Sequence, residues 1–403
     1  MNIRAKFLIV FASTSLVVLL LVGAVVGRSA PPEEPYKHLA VFTEVVTRIK
    51  SEYVEEPDMK SVTLGALNGL LESLDPFASY LNAEQYKEYN KKKDTLRGDV
   101  GLLISKRAGY IGVVGAVPES PAARAGLSPG DWIEAIKGVG TRDMPLAYAE
   151  IMLRGEPGST VELLVLRSRR PEPQKLTLTR AVVSYPQVRS EMLANQIGYL
   201  RPETLAPGRL PQVAAAIESL GKQGAKRWLL DLRNCSVGAP EEGLELANFF
   251  VERGLLGYVQ GQKVPRQDFE ADARKTRTRL PMQVVINRGT AWGCEVAAAA
   301  LLDAKRADLV GERTYGAASV RRAVQLDDGG AVILAVAKYY APVGKSIPDN
   351  GVMPQTLLPE PEAQIEFDDE GKPIPPLTEE RLKDQSKQLG TYLNRVIELI
   401  EKK

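Results

Sequence analysis

One hydroxyl- and thiol-bearing turn, two cysteines and a single histidine are where chemistry could sit in this chain of 403 residues. The turn reads Asn287-Arg-Gly-Thr-Ala-Trp-Gly-Cys-Glu295 and brings Thr290, Cys294 and Glu295 together directly after the apolar run Val284-Val-Ile286. A hydroxyl or thiol becomes a nucleophile only with a base in hydrogen-bond reach and donors aimed at the developing oxyanion. His38 is far in sequence from this turn, which argues against a Ser-His-Asp triad. A lysine base must be buried enough to lose its proton near neutral pH. Ser219-Leu-Gly-Lys222 has serine-x-x-lysine spacing, but it falls at a helix end before a strand and is read as coincidence. One histidine and two cysteines do not make a zinc site, so neither a metal nor a cofactor is expected.

A second block follows: Val310-Gly-Glu-Arg-Thr-Tyr-Gly-Ala-Ala-Ser319, then Ala337-Lys-Tyr-Tyr-Ala-Pro342. The blocks resemble those of the carboxyl-terminal processing (tail-specific) proteases, serine peptidases with a serine–lysine dyad and a PDZ domain. In that family the first block reads N-x-G-S-A-S-A-S-E, its middle serine the nucleophile. The second reads G-E-x-T-F-G-K-G-S-V-Q, with the lysine as general base and the glutamine orienting it. The resemblance puts Trp292 at the serine, Ala317 at the lysine and Arg321 at the glutamine. It identifies Lys338 with a strand lysine that is not the base.

Asp231-Leu-Arg-Asn-Cys-Ser-Val-Gly238 is similar to the family's D-L-R-x-N-P-G-G, whose glycine backbone helps hold the tetrahedral intermediate. Val237 stands at the first glycine, and a β-branched side chain narrows the backbone's freedom there. Thr290 and Cys294, each two residues from Trp292, are the fallback nucleophiles. A cysteine needs a cationic or imidazole neighbour to depress its pKa, and Arg321 is the candidate. Glu295 occurs in the active family too and is expected to begin the next helix. The same resemblance sets Cys235 and Cys294 on neighbouring loops. Two buried thiols are expected there, and a disulfide only if the Cα atoms lie within about 7 Å.

These blocks need a scaffold. From Ile197 a helix at 210–220, the buried-strand run Trp228–Arg233, a helix at 241–250 and the run Val284–Ile286 alternate, which argues an α/β layer with parallel strands. Residues 96–182 resemble a circularly permuted bacterial PDZ domain. Val117-Pro-Glu-Ser-Pro-Ala-Ala-Arg-Ala-Gly126 and Leu127-Ser-Pro-Gly-Asp-Trp-Ile133 carry that likeness. By it, Val100, Gly101, Leu102 and Leu103 form the carboxylate loop and the strand after it, and Leu146 and Glu150 lie on the groove helix. Such a groove binds by strand addition. Apolar residues recur at helical spacing before it, and Ser73–Leu81 is similar to the family's S-L-D-P-H-S-x-Y-L. The expected organisation is therefore a multidomain α/β and α+β chain: an anchor or signal segment with linker (1–35), a helical domain (36–95), the PDZ domain (96–182), a protease-like core (183–358), and a linker with a final helix (359–403).

Composition adds limits. Charged residues are 25% and hydrophobic ones 44%, as in globular proteins, and a net charge of +2 leaves no nucleic-acid footprint. Phe7–Gly27 is a run of 21 uncharged residues after Arg4 and Lys6. It is read as an uncleaved helix in the cytoplasmic membrane, with the rest of the chain outside the cytoplasm. The expected function is a pseudoprotease that binds protein C-termini or extended peptides without cleaving them, with a second copy or an active paralogue as further partners. The alternative is a working endopeptidase of the same family, serine-type or with Cys294 or Thr290 as nucleophile, processing periplasmic protein C-termini.

Overall fold

The computed structural model describes residues 33–93, 95–167, 172–359 and 390–399. Residues up to Leu64 belong to one compact unit, which holds helix α1 (Glu33–Glu52) and the start of α2 (Met59–Glu72). No helix among the described residues is long and apolar enough to cross a membrane. The expected transmembrane anchor and the membrane-bound, periplasmic placement built on it are corrected accordingly. At 20 residues α1 is long enough, but Glu33, Glu34, Lys37, Glu44, Arg48, Lys50 and Glu52 make it too polar to span a membrane. Phe7–Gly27, on which the expectation rested, lies outside the described residues.

From Gly65 onward a second unit begins. After β1 (Ser79–Leu81) and α3 (Ala83–Lys92) comes a sheet built from β2 (Leu102–Arg107), β3 (Tyr110–Ala116), β4 (Trp132–Ile136), β5 (Val139–Gly140), β6 (Thr160–Leu166) and β7 (Gln174–Thr179). Its order is β2-β3-β4-β6-β7, with β5 on β4, and every pairing is antiparallel. Ala108 and Gly109 both have positive φ and close the β2–β3 hairpin with the twist that a two-residue turn requires. The short helix α4 (Pro121–Arg124) starts at Ser120, whose Oγ accepts the Ala123 N–H. Gly101 is forced: φ is +78°, and a Cβ there would lie 2.3 Å from the Ser120 Cβ. Helix α5 (Leu146–Leu153) buries Leu146, Ala149 and Leu153 in the same core as Ile104, Ile133 and Val165.

The larger layer begins with β8 (Arg189–Leu193), β9 (Ile197–Arg201), α6 (Arg209–Lys222), β10 (Arg227–Asp231) and α7 (Pro240–Asn248). It continues through β11 (Leu255–Gln260), β12 (Gln267–Glu270), β13 (Met282–Ile286), α8 (Gly293–Asp303), β14 (Asp308–Gly311), β15 (Ser319–Gln325), β16 (Ala331–Tyr340), α9 (Ile347–Asn350) and β17 (Thr356–Leu357). One sheet runs β17-β14-β13-β10-β9-β8 and is parallel except at β8. Its central strands β10 and β13 are buried along nearly their whole length, as a sheet covered on both faces demands. A second, antiparallel sheet runs β1-β16-β11-β12, with β15 on β16. Residues 390–399 are helical and press Tyr392 and Val396 into a cluster with Tyr199, Leu229 and Val285.

Candidate functional site

The parallel sheet delivers the site at the end of β13. Asn287 accepts the Asn234 and Gly289 N–H groups on Oδ1 (2.9 and 3.0 Å), tying this turn to the loop after β10. Trp292 then sits with φ 52° and ψ −125° at the point where strand becomes helix. A bulky residue at positive φ is strained, and such strain clusters at functional turns. Sharp strand-to-helix elbows of this kind present the nucleophile in hydrolases. The helix behind the elbow packs very closely, since a Cβ on Gly243 would fall 1.9 Å from the Gly293 carbonyl oxygen.

Glu295 closes the elbow. Fully buried, its carboxylate accepts the Trp292 N–H (3.1 Å) and Ala317 N–H (2.5 Å) on Oε1, and the Gly316 N–H (2.8 Å) and Thr314 hydroxyl (3.0 Å) on Oε2. Burial pushes its pKa up to about 7 against the pull of these donors, the Ala317 and Gly316 N–H groups foremost. One carboxylate oxygen thus holds the backbones of Trp292 and Ala317 together. Sequence reasoning read Glu295 only as a helix start. A glutamate three residues into a helix was the available signal for the cap, but its reach to residues 314–317 depends on tertiary packing.

Trp292, Ala317 and Arg321 come together as the resemblance placed them. The Arg321 guanidinium lies over the Trp292 ring (5.0 Å) and over the Phe77 ring (5.1 Å), and the two rings are 5.7 Å apart. Arg321 also reaches the Glu150 carboxylate at 3.8 Å. Desolvation raises the Glu150 pKa, and Arg321 and Arg154 oppose it. Ala317 is buried beside these rings. At the three positions stand an indole, a methyl and a guanidinium, none of which is a hydroxyl, a thiol or a base.

The fallback groups are engaged elsewhere. Thr290 is fully buried, donating its hydroxyl to the Leu232 carbonyl (2.8 Å) and accepting the Asn287 N–H (3.1 Å). Cys294 is bonded to Cys235 with Cα atoms 5.9 Å apart, which corrects the expectation of two thiols. The two loops approach closely because Ala291 N–H donates to the Cys235 carbonyl and Asn287 links both strands' ends. Val237 takes no positive φ, and its carbonyl accepts the Leu205 N–H at 2.7 Å. Gly238 keeps φ +137° and accepts the Gly293 N–H at 3.2 Å. The N–H after the nucleophile position, which serves an oxyanion hole in such elbows, is directed at a carbonyl of the same chain.

Of the groove residues, Val100 and Leu146 are core side chains, whereas Leu102 and Leu103 are half-buried on β2. The Gly101 N–H is held by the Asp99 Oδ1 at 2.8 Å, and Asp99 Oδ2 lies 3.4 Å from Arg154. Glu150 turns toward the core instead, to Arg321. A cleft of about 360 Å³ opens between Tyr89, Glu150, Trp292 and Arg321. Phe77, which sequence reasoning passed over, belongs to the PDZ core cluster and is 2% exposed. Among the described residues no group of His, Cys, Asp and Glu side chains is placed to hold a metal.

A strained elbow at the end of a parallel sheet, faced by a PDZ-type sheet, defines a hydrolase-type scaffold joined to a PDZ-type domain. Residues 196–358 match Peptidase family S41, and residues 112–167 match the PDZ domain. The chain is 30% identical to the carboxy-terminal-processing protease of Bartonella bacilliformis, over 87% of this chain and 81% of that one. It is 32% identical to the carboxyl-terminal-processing protease of Synechocystis, over 78% and 75%. With carboxy-terminal processing protease CtpA of Bacillus subtilis the identity is 31%, over 76% of this chain and 66% of that relative, just under two-thirds of its length. Among solved structures, a photosystem II D1 C-terminal processing protease superposes with a TM-score of 0.66 at 29% identity, over 82% and 89%. This chain belongs to the carboxyl-terminal processing protease family.

Proposed function

We propose that this member of the family binds protein C-termini or extended peptide segments through its PDZ groove and does not cleave them. One observation carries the reading: the residue on the strained elbow is Trp292, with its ring covered by Phe77 and Arg321. Acyl transfer needs an attacking atom, a base and an oxyanion donor in one place. The elbow offers an indole, the base position a methyl, and the Gly293 N–H is already donated to Gly238. Thr290 faces a main-chain carbonyl, and Cys294 has no thiol while the disulfide stands. Fold alone does not decide activity, and these groups weigh against it.

The test pairs the full chain with a denatured protein and with a peptide of apolar C-terminus. Binding without new termini by mass spectrometry supports the reading. Cleavage that disappears in Cys294→Ala or Thr290→Ala would restore the endopeptidase alternative.

A further inference from the structure

We infer that residues Asp75–Ser79 are a built-in ligand filling the upstream half of the PDZ groove, so that the groove reads only about the last three residues of a peptide. This rests on the peptide-binding reading above and fixes which peptides it admits. Among the described residues, strand β2 is an edge of its sheet and pairs with β3 alone. On such a strand every second residue turns its N–H and C=O outward, where an added strand pairs. Lys106 is one of these, and its N–H already donates to the Pro76 carbonyl at 2.7 Å. By alternation Ile104 and Leu102 share that edge. Val113, which faces Ile104 in register, spends its own N–H and C=O on Asp131 and Gly130, as this alternation requires.

The other wall of the groove is held by the same segment. Helix α5 begins after Pro145, which has no side chain to cap it, and the Ala147 N–H donates instead to the Ser79 hydroxyl at 3.0 Å. Lys106 Nζ crosses to the Met144 carbonyl at 2.8 Å. Between the walls sits Phe77, in one apolar cluster with Ile104, Leu146 and Ala149. From the core side Trp292 and Arg321 cover it. A turn fixes the segment's shape, with the Phe77 N–H on Asp75 Oδ1 (2.8 Å).

A peptide adding antiparallel to β2, with its C-terminus at the Gly101 turn, passes Leu102 and Ile104 and then meets Pro76. Strands advance roughly 3.3 Å per residue, so this stretch holds about three ligand residues. Residues further upstream must leave the groove into the cleft beside Tyr89, Glu150 and Arg321. Phe77 is thus the residue that sets the length of chain the groove can read.

The experiment uses the full chain and peptides of four and eight residues sharing one apolar C-terminal sequence, with affinity read by calorimetry. The two peptides should bind wild type within about twofold, while Phe77→Ala should favour the longer one by tenfold or more. Because that variant removes a core side chain, amide exchange on wild type gives a second readout. Bound octapeptide should protect the Ile104 amide and leave Lys106 unchanged. A tenfold preference of wild type for the longer peptide, or new protection at Lys106, overturns the inference while leaving peptide binding intact. No binding of either peptide to wild type or to the variant overturns both.

Discussion

The guanidinium of Arg321 lies 5.0 Å from the Trp292 ring and 3.8 Å from the Glu150 carboxylate, so one side chain joins the elbow of the hydrolase core to the groove helix of the PDZ sheet. Arg321→Ala should lower unfolding free energy by about 1–2 kcal/mol, mostly through the lost ring contacts. A double-mutant cycle with Glu150→Gln should show coupling below about 1 kcal/mol, since both side chains are partly solvated (23% and 30% exposed). Urea denaturation of the four proteins checks both figures.

Glu295 should be the most sensitive polar position of the site. In Glu295→Gln the amide NH₂ must face at least one donor among Gly316, Thr314, Ala317 and Trp292, leaving a buried mismatch. The expected loss is about 2–3 kcal/mol.

The same residue gives a pH dependence. Its carboxyl is raised from 4.5 to about 7 by burial, so the folded protein keeps a proton that the unfolded chain releases. The Glu295 contribution is fully present below about pH 4.5 and is lost as pH climbs through about 7, at most about 3 kcal/mol in all. Wild type should therefore lose stability relative to Glu295→Gln between pH 4.5 and 7.5. A pH-independent difference between the two would contradict this.

How much of this was legible beforehand follows from which forces are local. The PDZ-type sheet could be read from Val117–Ile133 because Gly126 and Gly130 sit at positive φ, where turns favour glycine, and Leu127 and Ile133 are buried in its core. The parallel layer was readable because β10 and β13 carry the short apolar runs Trp228–Leu230 and Val284–Ile286 between helical stretches. The Cys235–Cys294 bond was not, since it depends on two loops 59 residues apart arriving within 5.9 Å. Nor was Phe77, whose burial arises from packing against residues distant in sequence. The expected membrane helix rested on local apolarity alone, and no helix among the described residues has the length and apolarity to span a membrane.

The disulfide should stabilise without conferring activity. Closing a loop of 59 residues is worth about 4 kcal/mol in the chain-entropy account, and Cys235→Ser with Cys294→Ser should lose much of it. Both cysteines are buried, so alkylation after reduction should need unfolding, and on the proposed reading the reduced folded chain should still yield no proteolysis.

If the groove takes a peptide C-terminus as proposed, Asp99 would compete with the incoming carboxylate, since it already takes the Gly101 N–H. Asp99→Ala removes a like charge and returns that donor, so affinity for a free peptide C-terminus should rise three- to tenfold, about 1 kcal/mol. Binding of the same peptide with an amidated C-terminus should change far less.

On the proposed reading, placing a serine and a lysine at positions 292 and 317 should not produce a protease. Trp292→Ser with Ala317→Lys supplies an oxygen and an amine, yet the Gly293 N–H still points at Gly238 and Val237 still occupies the glycine position. A sensitive fluorogenic peptide assay should find the double variant as inactive as wild type.

The most direct measurement is intact-mass spectrometry of the full chain after incubation with an acylating serine-hydrolase probe, followed by peptide mapping of residues 287–321. On the proposed reading no mass increase and an unmodified map are predicted, since the elbow position carries an indole, Thr290 donates to the Leu232 carbonyl and Cys294 is held in the disulfide. A stoichiometric adduct on any residue within it would contradict the account.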